Sequence, residues 1–356
     1  MHAKRAVAAW LAAVPFIFWQ AASAGEVTVE QWRGHAVVKL TGVIDAGTAD
    51  KFAQAADKVN PLPYGLPVLL LDSPGGNVIE ALKISQLMDQ HPFHTVVPDG
   101  AKCASACASI VFIAGKNRTM EENGLLGQHS CALNGVPQPS CNDALSQHAV
   151  EHGVSYGAVA AFVTNVAPDK ILWLSRQDAE GWGLTKYPGE EWSGFERSEP
   201  RVIKMLSGKD PPAQASWRIN FRGNGYEAFL RPASDVEREE QLDVFCDERL
   251  KGHLFLGMEI NGPADKIKSL IQDVLIRTDL SSWNVQEPVV VQENAGITDV
   301  ITDIPAAEIK PFLSKAQTIE FMVSLPKPYL PMIAKTSLAK SRKVLLFAAN
   351  HCIQGG

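Results

Sequence analysis

Two short segments contain the residue types that nucleophilic catalysis needs. Ser105 lies in DGAKCASACASIVFIAG, and His129 follows 24 residues later in GLLGQHS. A nucleophilic serine needs a base within hydrogen-bond reach and donors aimed at the developing oxyanion. Small neighbours such as Ala104 and Ala106 would let a helix N-terminus pack closely and leave the Ser105 hydroxyl accessible. The structural alternative is that Ser105 caps a helix and His129 is a polar residue without a chemical role.

The segment VLLLDSPGGNVIEAL contains candidate oxyanion donors. Residues 68–71 are apolar and predict a buried strand, Gly75 and Gly76 interrupt it, and apolar residues from Val78 onward have helical spacing. Glycine permits a positive φ or the close approach of another group to the backbone. The pair therefore indicates either a tight turn or backbone N–H donors at a helix N-terminus.

Strand-like and helix-like segments alternate over the first half of the chain. HAVVKLTGVI and HTVV predict strands, whereas GTADKFAQAADKV and residues 142–167 predict helices. This alternation is typical of an α/β layered domain, here residues 25–186, with parallel strand pairing. A polar stretch rich in Pro and Gly predicts a linker at 187–216. The remainder, 217–356, predicts a smaller α+β accessory domain that ends in a helix packed through Leu338, Leu345 and Leu346.

The N-terminus has the pattern of a secretory signal peptide over residues 1–24. Lys4 and Arg5 precede an apolar stretch, and residues 22–24 form a small-residue cleavage site. The apolar stretch is too short for a membrane span and contains Pro15, and no later segment has the length of a transmembrane helix. We therefore expect an exported protein, periplasmic or secreted, with no membrane span after signal removal.

Composition and charge narrow the classes of partner. The chain has 356 residues, of which 46% are hydrophobic and 20% charged, an ordinary globular balance with room for two domains. Signal removal changes the formal charge from −6 to −8, because two basic residues and no acidic ones are lost. An acidic exported protein is a poor candidate for binding nucleic acid or anionic membranes.

Six cysteines, an even number in a chain expected to be exported, predict disulfides rather than free thiols. Their spacing does not match paired zinc knuckles. Cys131 and Cys141 bracket a turn-rich loop, and Cys246 and Cys352 are natural partners in the second half. Cys103 and Cys107 then pair with each other or exchange with the 131/141 pair, so the connectivity stays open.

Four motifs occur in a characteristic order: LLLDSPGGNVIEAL, TVVPDGAKCASACASIVFIAGKNR, GLLGQHS and LSRQDAEGWGL. This order resembles the Clp-like serine peptidases of the ClpP/crotonase superfamily, especially exported bacterial proteins of that type, over about residues 35–186. The resemblance implies a spiral of ββα units, with Ser105 as nucleophile and His129 as general base. It also implies an oxyanion hole formed by the backbone N–H groups of Gly76 and Ala106.

The acid of the triad departs from the family pattern. The family's acid precedes an aromatic-Leu-Ser run, and the corresponding residue in ILWLSRQDAEGWGL is Ile171. Asp169 lies two residues earlier and is the candidate acid, whereas Asp178 is expected to be solvated on the following helix. The alternatives are a Ser-His dyad or a serine activated by a lysine, for which Lys102 and Lys116 are the nearby candidates.

A second motif, HAVEH, fits the H-x-x-E-H pattern of zinc peptidases. In that pattern His148 and His152 would hold the metal and Glu151 would act as base. Gly153 would end the helix at the second ligand, and the structural interpretation is an exposed helix end that carries both histidines. A zinc metallopeptidase is therefore only a remote alternative.

The leading hypothesis is an exported serine endopeptidase that hydrolyses a peptide or protein substrate through an acyl-enzyme, with no cofactor and no metal. A catalytically silent binding protein of the crotonase fold is the alternative. The oligomeric state and the role of the C-terminal domain stay open.

Overall fold

The computed structural model describes residues 24–133, 135–188, 190, 217–222, 225–230, 240–247, 250, 252–294, 296–339 and 342–351. The predicted signal peptide, apart from Ala24, and most of the predicted linker lie outside the described residues. Within these ranges the chain is mixed α/β, with five sheets and nine helices. No helix in these ranges is long and apolar enough to cross a membrane.

The first sheet has four parallel strands and one antiparallel edge strand. Its strands are β1 (Glu26–Trp32), β2 (His35–Thr41), β3 (Val68–Asp72), β4 (His94–Val97) and β6 (Asn117–Met120), in the spatial order β1-β2-β3-β4-β6. Only β1 runs antiparallel to its neighbour. The first four residues of the central strand β3 are buried, as an apolar run covered on both faces requires. The strands predicted at VLLL and HTVV are confirmed.

A second, smaller sheet carries the segments around Ser105 and His129. It consists of β5 (Lys102–Ala104), β7 (Leu125–Gln128) and β10 (Leu172–Leu174), in the order β10-β7-β5. The strands β5 and β7 are parallel, whereas β10 is antiparallel to β7. A short hairpin, β8 (Ala132–Leu133) and β9 (Val136–Pro137), follows β7.

Six helices belong to the first half of the chain. They are α1 (Thr48–Ala56), α2 (Val78–Gln90), a π-helix (Cys107–Phe112), α3 (Pro139–Glu151), α4 (Tyr156–Asn165) and α5 (Arg176–Gly181). The helix predicted over 142–167 is in fact two helices, because Gly153 adopts a positive φ of 79° between them. Asn77 caps α2, and its side chain accepts hydrogen bonds from the N–H groups of Ile79 and Glu80.

The second half contains two antiparallel sheets. One has the order β11-β12-β13-β14-β18-β17, and the other β16-β15-β19-β20. The strands are β11 (Arg218–Arg222), β12 (Gly225–Leu230), β13 (Glu240–Phe245), β14 (Phe255–Asn261), β15 (Asp273–Thr278), β16 (Ser282–Val285), β17 (Val289–Asn294), β18 (Ile297–Asp303), β19 (Thr318–Ser324) and β20 (Met332–Ser337). The helices are α6 (Ala264–Leu270), α7 (Ala306–Ser314) and α8 (Arg342–Asn350).

The two halves of the chain share one hydrophobic core. On α8, Phe347 makes edge contacts with Trp182 at 5.5 Å and with Tyr226 at 5.2 Å between ring centroids. Lys343 donates to the Trp173 carbonyl and lies 3.0 Å from an Asp178 carboxylate oxygen. Of the residues predicted to pack this helix, Leu338 and Leu345 are fully buried and Leu346 is partly buried against the core. Leu338 precedes the helix rather than lying in it.

Arg118 on β6 ties together the segments that follow the π-helix, α3 and α5. Its guanidinium is buried and donates hydrogen bonds to the carbonyls of Leu184, Ile113, Gly115 and His152 at 2.7–3.3 Å. Burial lowers the pKa of Arg118 to about 9, which still leaves the side chain protonated at neutral pH. Four carbonyl partners compensate part of the cost of burying this charge.

His148 links α3 to the π-helix that follows Ser105. It is 6% exposed, so the expectation of an exposed helix end at this residue is wrong. Its Nε2 donates to the Ile110 carbonyl at 3.1 Å. Burial, with a smaller contribution from the neighbouring His152, lowers the pKa of His148 to about 4. The imidazole is therefore neutral in the folded protein.

The depressed pKa of His148 predicts a loss of stability in acid. Between pH 6.5 and about 4 the unfolded chain binds a proton at His148 that the folded chain does not, so the unfolding free energy falls as pH decreases. His148→Gln keeps an N–H donor but does not titrate. We expect the variant to lose about 1–2 kcal/mol less between pH 7 and pH 4.5 in urea unfolding, since one pKa unit corresponds to about 1.4 kcal/mol.

His35→Gln is the control for this measurement, because His35 is exposed on β2. It should leave the pH dependence of unfolding unchanged. Identical pH profiles for wild type and His148→Gln would contradict the burial of a neutral imidazole.

Candidate active site

Ser105 occupies a sharp turn between β5 and the π-helix. Its φ is +54°, a left-handed conformation shared by only one other non-glycine residue in the described ranges, Arg33. This conformation costs an L-residue about 1–2 kcal/mol. The turn is held by a hydrogen bond from the Ser105 N–H to the Gly127 carbonyl at 2.9 Å and by one from the Ser109 N–H to the Ser105 carbonyl at 2.8 Å. Strain of this kind is typical of functional turns.

The Gly75–Gly76 turn packs directly against the Ser105 turn. Gly75 has a φ of +89°, and a Cβ there would lie 2.7 Å from Ser105 Cβ and 2.8 Å from the Ala106 nitrogen, and would overlap the Ala104 carbonyl oxygen. No side chain fits in this space. Both consequences predicted for a glycine, a positive φ and a close backbone approach, therefore hold at Gly75.

The backbone N–H of Gly76 is left out of the bridge that this residue forms with Ile44. The Gly75 carbonyl accepts from the Ile44 N–H, and the Asn77 N–H donates to the Ile44 carbonyl, both at 2.8 Å. In this parallel bridge Ile44 bonds to the residues on either side of Gly76, so the Gly76 N–H takes no part in it. Among the described residues, neither the Gly76 nor the Ala106 N–H has a hydrogen-bond acceptor.

Ser105, His129, Gly76 and Ala106 line one cavity of about 260 Å³. The sequence analysis named all four of these residues as site candidates. Most of the remaining wall is apolar or small, and includes Val78, Cys131, Ala132, Leu145 and Pro168. All the lining residues lie between positions 76 and 169, so none of the described residues of the second half contributes to the wall.

His129 follows β7 and has one ring nitrogen engaged. Its Nδ1 lies 2.7 Å from the Ser130 carbonyl oxygen. A carbonyl oxygen can only accept, so the proton of a neutral His129 ring is on Nδ1 and Nε2 has a free lone pair. Neither Nε2 nor the Ser105 hydroxyl has a hydrogen-bond partner among the described residues. The Ser105–His129 hydrogen bond of an active dyad is thus not formed in this structure.

Asp169 lines the same cavity but does not contact the imidazole through a hydrogen bond. Its side chain is 75% exposed and lies 3.7 Å from Lys170 Nζ. Ile171, which the sequence resemblance aligned with the acid, is also exposed. Asp178, expected to be solvated, is instead buried, because it forms a capping box with Ser175 and pairs with Lys343.

Neither candidate lysine lines the cavity. Lys102 is exposed and lies 5.6 Å from the centroid of the Trp173 ring. Lys116 lines a different cavity beside Arg118 and His152. Both positions agree with the interpretation of these lysines as surface charges.

Ser109 is a wall residue that the sequence analysis missed. Its hydroxyl donates to Gln128 Oε1 at 2.5 Å, and the Gln128 side chain is fully buried. The signal in the sequence is the spacing of four residues from Ser105, which a helical continuation places on the same side. An internal polar pair therefore lies behind the nucleophile turn.

Two disulfides have both of their cysteines within the described residues. Cys103 is bonded to Cys107 and Cys131 to Cys141, which decides between the pairings that the sequence left open. Cys246 is also disulfide-bonded, and Cys352, its predicted partner, lies outside the described residues. Disulfides are consistent with an oxidising compartment outside the cytosol.

The histidines of the H-x-x-E-H motif hydrogen-bond to protein groups. His152 Nε2 lies 2.9 Å from Asp89 Oδ1, and Glu151 accepts from Gln147. The His148 Nε2 is engaged by the Ile110 carbonyl. In the part of the chain that is described, no three His, Cys, Asp or Glu side chains form a group that could hold a metal ion.

Comparisons with known proteins do not identify a family. No family model matches the chain, and no curated protein matches it. Among solved structures, a mutant of the 1510-N membrane-bound stomatin-specific protease is similar over 42% of this chain and 76% of that chain, with 20% sequence identity and a TM-score of 0.33.

The contact between the two turns predicts that Gly75 tolerates no side chain. Gly75→Ala adds a methyl group against the Ala104–Ala106 backbone, in addition to the cost of a positive φ. Gly65→Ala is the matched control, because its φ is +94° and its Cβ would meet nothing within 4 Å. We expect about 1 kcal/mol of destabilisation for Gly65→Ala and about 1–3 kcal/mol more for Gly75→Ala from overpacking. Urea unfolding measures both values, and equal losses would contradict the contact.

Proposed function

We propose that this protein is an exported serine-type endopeptidase with Ser105 as nucleophile and His129 as general base. The observation that carries the proposal is the common cavity, lined by the strained Ser105 turn, the imidazole with its free Nε2, and two backbone N–H groups without acceptors. A crotonase-type spiral of ββα units is part of the proposal. It rests on the order of the sequence motifs and is compatible with the mixed α/β fold.

The proposed reaction begins when a substrate carbonyl enters the cavity. His129 Nε2 takes the proton of the Ser105 hydroxyl while Oγ attacks the carbonyl carbon. The Gly76 and Ala106 N–H groups donate to the oxyanion of the tetrahedral intermediate, where one such donor is typically worth about 3–4 kcal/mol. The imidazolium then protonates the amine leaving group, and water hydrolyses the acyl-enzyme. The ring must first move within hydrogen-bond reach of Ser105, as often happens when substrate binds.

The Ser130 carbonyl can orient the imidazole in place of a carboxylate. Its hydrogen bond from Nδ1–H selects the tautomer in which Nε2 is the base, the orienting role of the acid in a triad. A carbonyl is uncharged and stabilises an imidazolium less than a carboxylate would. We therefore propose a dyad supported by the backbone, with Asp169 as triad acid kept as a prediction for test.

The proposed substrate is a peptide or protein, because the donors and the nucleophile suit acyl transfer. No cofactor or metal enters the proposed chemistry, and nucleic acid and membrane partners are not expected for an acidic chain. We propose a periplasmic or secreted location, which the disulfides support. The oligomeric state is left open.

Labelling with a fluorophosphonate tests the proposal directly. An ordinary serine hydroxyl is too weak a nucleophile at neutral pH, so labelling requires a positioned base and an oxyanion site. We expect stoichiometric labelling confined to Ser105, none in Ser105→Ala, and a rate at least about 100-fold lower in His129→Ala. Mass spectrometry of the labelled peptide identifies the site.

His35→Ala is the control for loss of a histidine, since His35 is exposed on β2, and should label at the wild-type rate. A folded, oxidised protein that does not label at Ser105 between pH 5 and pH 9 would exclude the peptidase and leave the catalytically silent binding protein. Labelling abolished by a chelator and restored by zinc would instead favour the metallopeptidase alternative.

Asp169→Asn separates the dyad from the triad. If the Ser130 carbonyl orients His129, removing the exposed Asp169 charge should change the labelling rate by less than about threefold, whereas a lost triad acid typically costs about 10⁴-fold. Lys170→Gln removes the ion-pair partner of Asp169 and is the matched control. A drop approaching that of His129→Ala would show that Asp169 moves to the imidazole during the reaction.

A further inference from the structure

The Cys103–Cys107 disulfide encloses the candidate nucleophile. Cys103 lies in β5 and Cys107 is the first residue of the π-helix, with Ser105 midway between them. The bond joins the two ends of a five-residue turn, and the Cα atoms of Cys103 and Cys107 are 5.3 Å apart. No other disulfide in the described residues spans Ser105. The bond is thus a covalent constraint placed directly on the reacting residue.

Apart from the disulfide, this turn is held by backbone contacts rather than by side chains. Ala104 and Ala106, which flank Ser105, have only methyl side chains, although both are buried. Ser105 itself makes two backbone hydrogen bonds: its N–H donates to the Gly127 carbonyl, and its carbonyl accepts from the Ser109 N–H. A positive φ at a non-glycine residue persists only where its surroundings enforce it. A cross-link between positions two residues before and two residues after Ser105 supplies such enforcement.

The same cross-link fixes one of the candidate oxyanion donors. Ala106 precedes Cys107, so the direction of its N–H depends on the same turn. The Cys103 backbone forms a bridge with Ser73, two residues before Gly75. A change of backbone at 103–107 would therefore displace the hydroxyl of Ser105 and alter the distance between the two donors.

We propose that the Cys103–Cys107 disulfide is a positioning element of the catalytic turn, so that the peptidase is inactive until this bond forms. This inference rests on the proposed function of Ser105. The two thiols are oxidised by a disulfide of the oxidising compartment, represented by R–S–S–R: two Cys–SH and R–S–S–R give Cys103–S–S–Cys107 and two R–SH. The chain would then be latent in a reducing cytosol and would become active after export.

Burial makes this a maturation step rather than a reversible switch. Both cysteines are fully buried, so a reductant has no access to the sulfur atoms without local unfolding. The Cys131–Cys141 bond differs in this respect, because Cys141 is only partly buried and its loop is exposed around Gly135. The activity of the protein should therefore depend on whether the Cys103–Cys107 bond forms during folding. Once the protein is folded and oxidised, adding a mild reductant should not reduce its activity.

The test compares full-length exported chains by fluorophosphonate labelling of Ser105. The samples are oxidised wild type, wild type refolded in dithiothreitol, Cys103→Ala/Cys107→Ala, and the control Cys246→Ala/Cys352→Ala. The maximal labelling rate and the half-saturating probe concentration are measured separately. We expect the maximal rate to fall about 100-fold in the reduced wild type and in the first double variant, as for a displaced reacting group, with little change in half-saturation. The control should keep the wild-type rate.

Reoxidation tests whether labelling follows the Cys103–Cys107 bond in particular, rather than the other disulfides of the chain. Unfolding the reduced wild type and refolding it with oxidised glutathione, which gives the otherwise buried thiols access to the oxidant, should restore labelling in proportion to the Cys103–Cys107 bond measured by peptide mass spectrometry. The same treatment should not restore the double variant. Near-ultraviolet circular dichroism checks that each sample is folded. If the alanine variant does not fold, Cys103→Val/Cys107→Ala, which fills more of the space left by the sulfur atoms, takes its place.

Three outcomes would overturn the inference. Equal maximal rates in the oxidised wild type and the folded double variant would leave Ser105 as nucleophile but remove the role of the disulfide. An equal loss in the control Cys246→Ala/Cys352→Ala would assign the effect to overall stability. No labelling of the oxidised wild type would reject the proposed function itself, and this inference with it.

Discussion

The backbone contact between the Gly75–Gly76 turn and the Ser105 turn is the constraint on which the candidate site depends. These turns end strands of two different sheets, and the Ala104 N–H donates to the Ser73 carbonyl at 2.9 Å where the sheets meet. The absence of a side chain at Gly75 lets the two main chains touch. One contact thus sets both the position of the Ser105 hydroxyl and the separation of the two N–H groups without acceptors.

The surrounding structure holds this contact in place through polar groups in the interior. His148 reaches the π-helix from α3, and Arg118 donates to four carbonyls from three separate segments. The Ser109–Gln128 pair connects the π-helix to β7, the strand that precedes His129. A polar group in the interior is costly unless it is satisfied, so these bonds also select one arrangement of the backbone over its alternatives.

The candidate nucleophile is held by several interactions, whereas the candidate base is held by one. Ser105 is fixed by a disulfide, two hydrogen bonds and the glycine contact, whereas His129 has one hydrogen bond to a neutral carbonyl. The second half of the chain packs through α8 against α5 and leaves the cavity wall to the first half. The described residues of the second half therefore do not line this cavity and have no direct part in the proposed mechanism.

The sequence by itself determined the local features of this protein. Apolar runs and glycines were sufficient to predict β3, β4 and α1. Residue types singled out Ser105 and His129, and a motif order that resembles the Clp-like serine peptidases added the backbone of Gly76 and Ala106; all four residues line one cavity. These predictions succeed because they depend on the chain's own periodicity and on the steric freedom of glycine. The roles of the four residues in catalysis stay predictions.

Only the tertiary structure decided which groups meet across the chain. Burial of Asp178 depends on Lys343, 165 residues away, and burial of His148 depends on the Ile110 carbonyl. The pairing of Cys103 with Cys107 and the use of the Ser130 carbonyl rather than Asp169 by His129 depend on backbone direction, which no residue type encodes. Such contacts are decided by how the sheets and helices pack, because a polar side chain takes whichever partner the fold brings within reach.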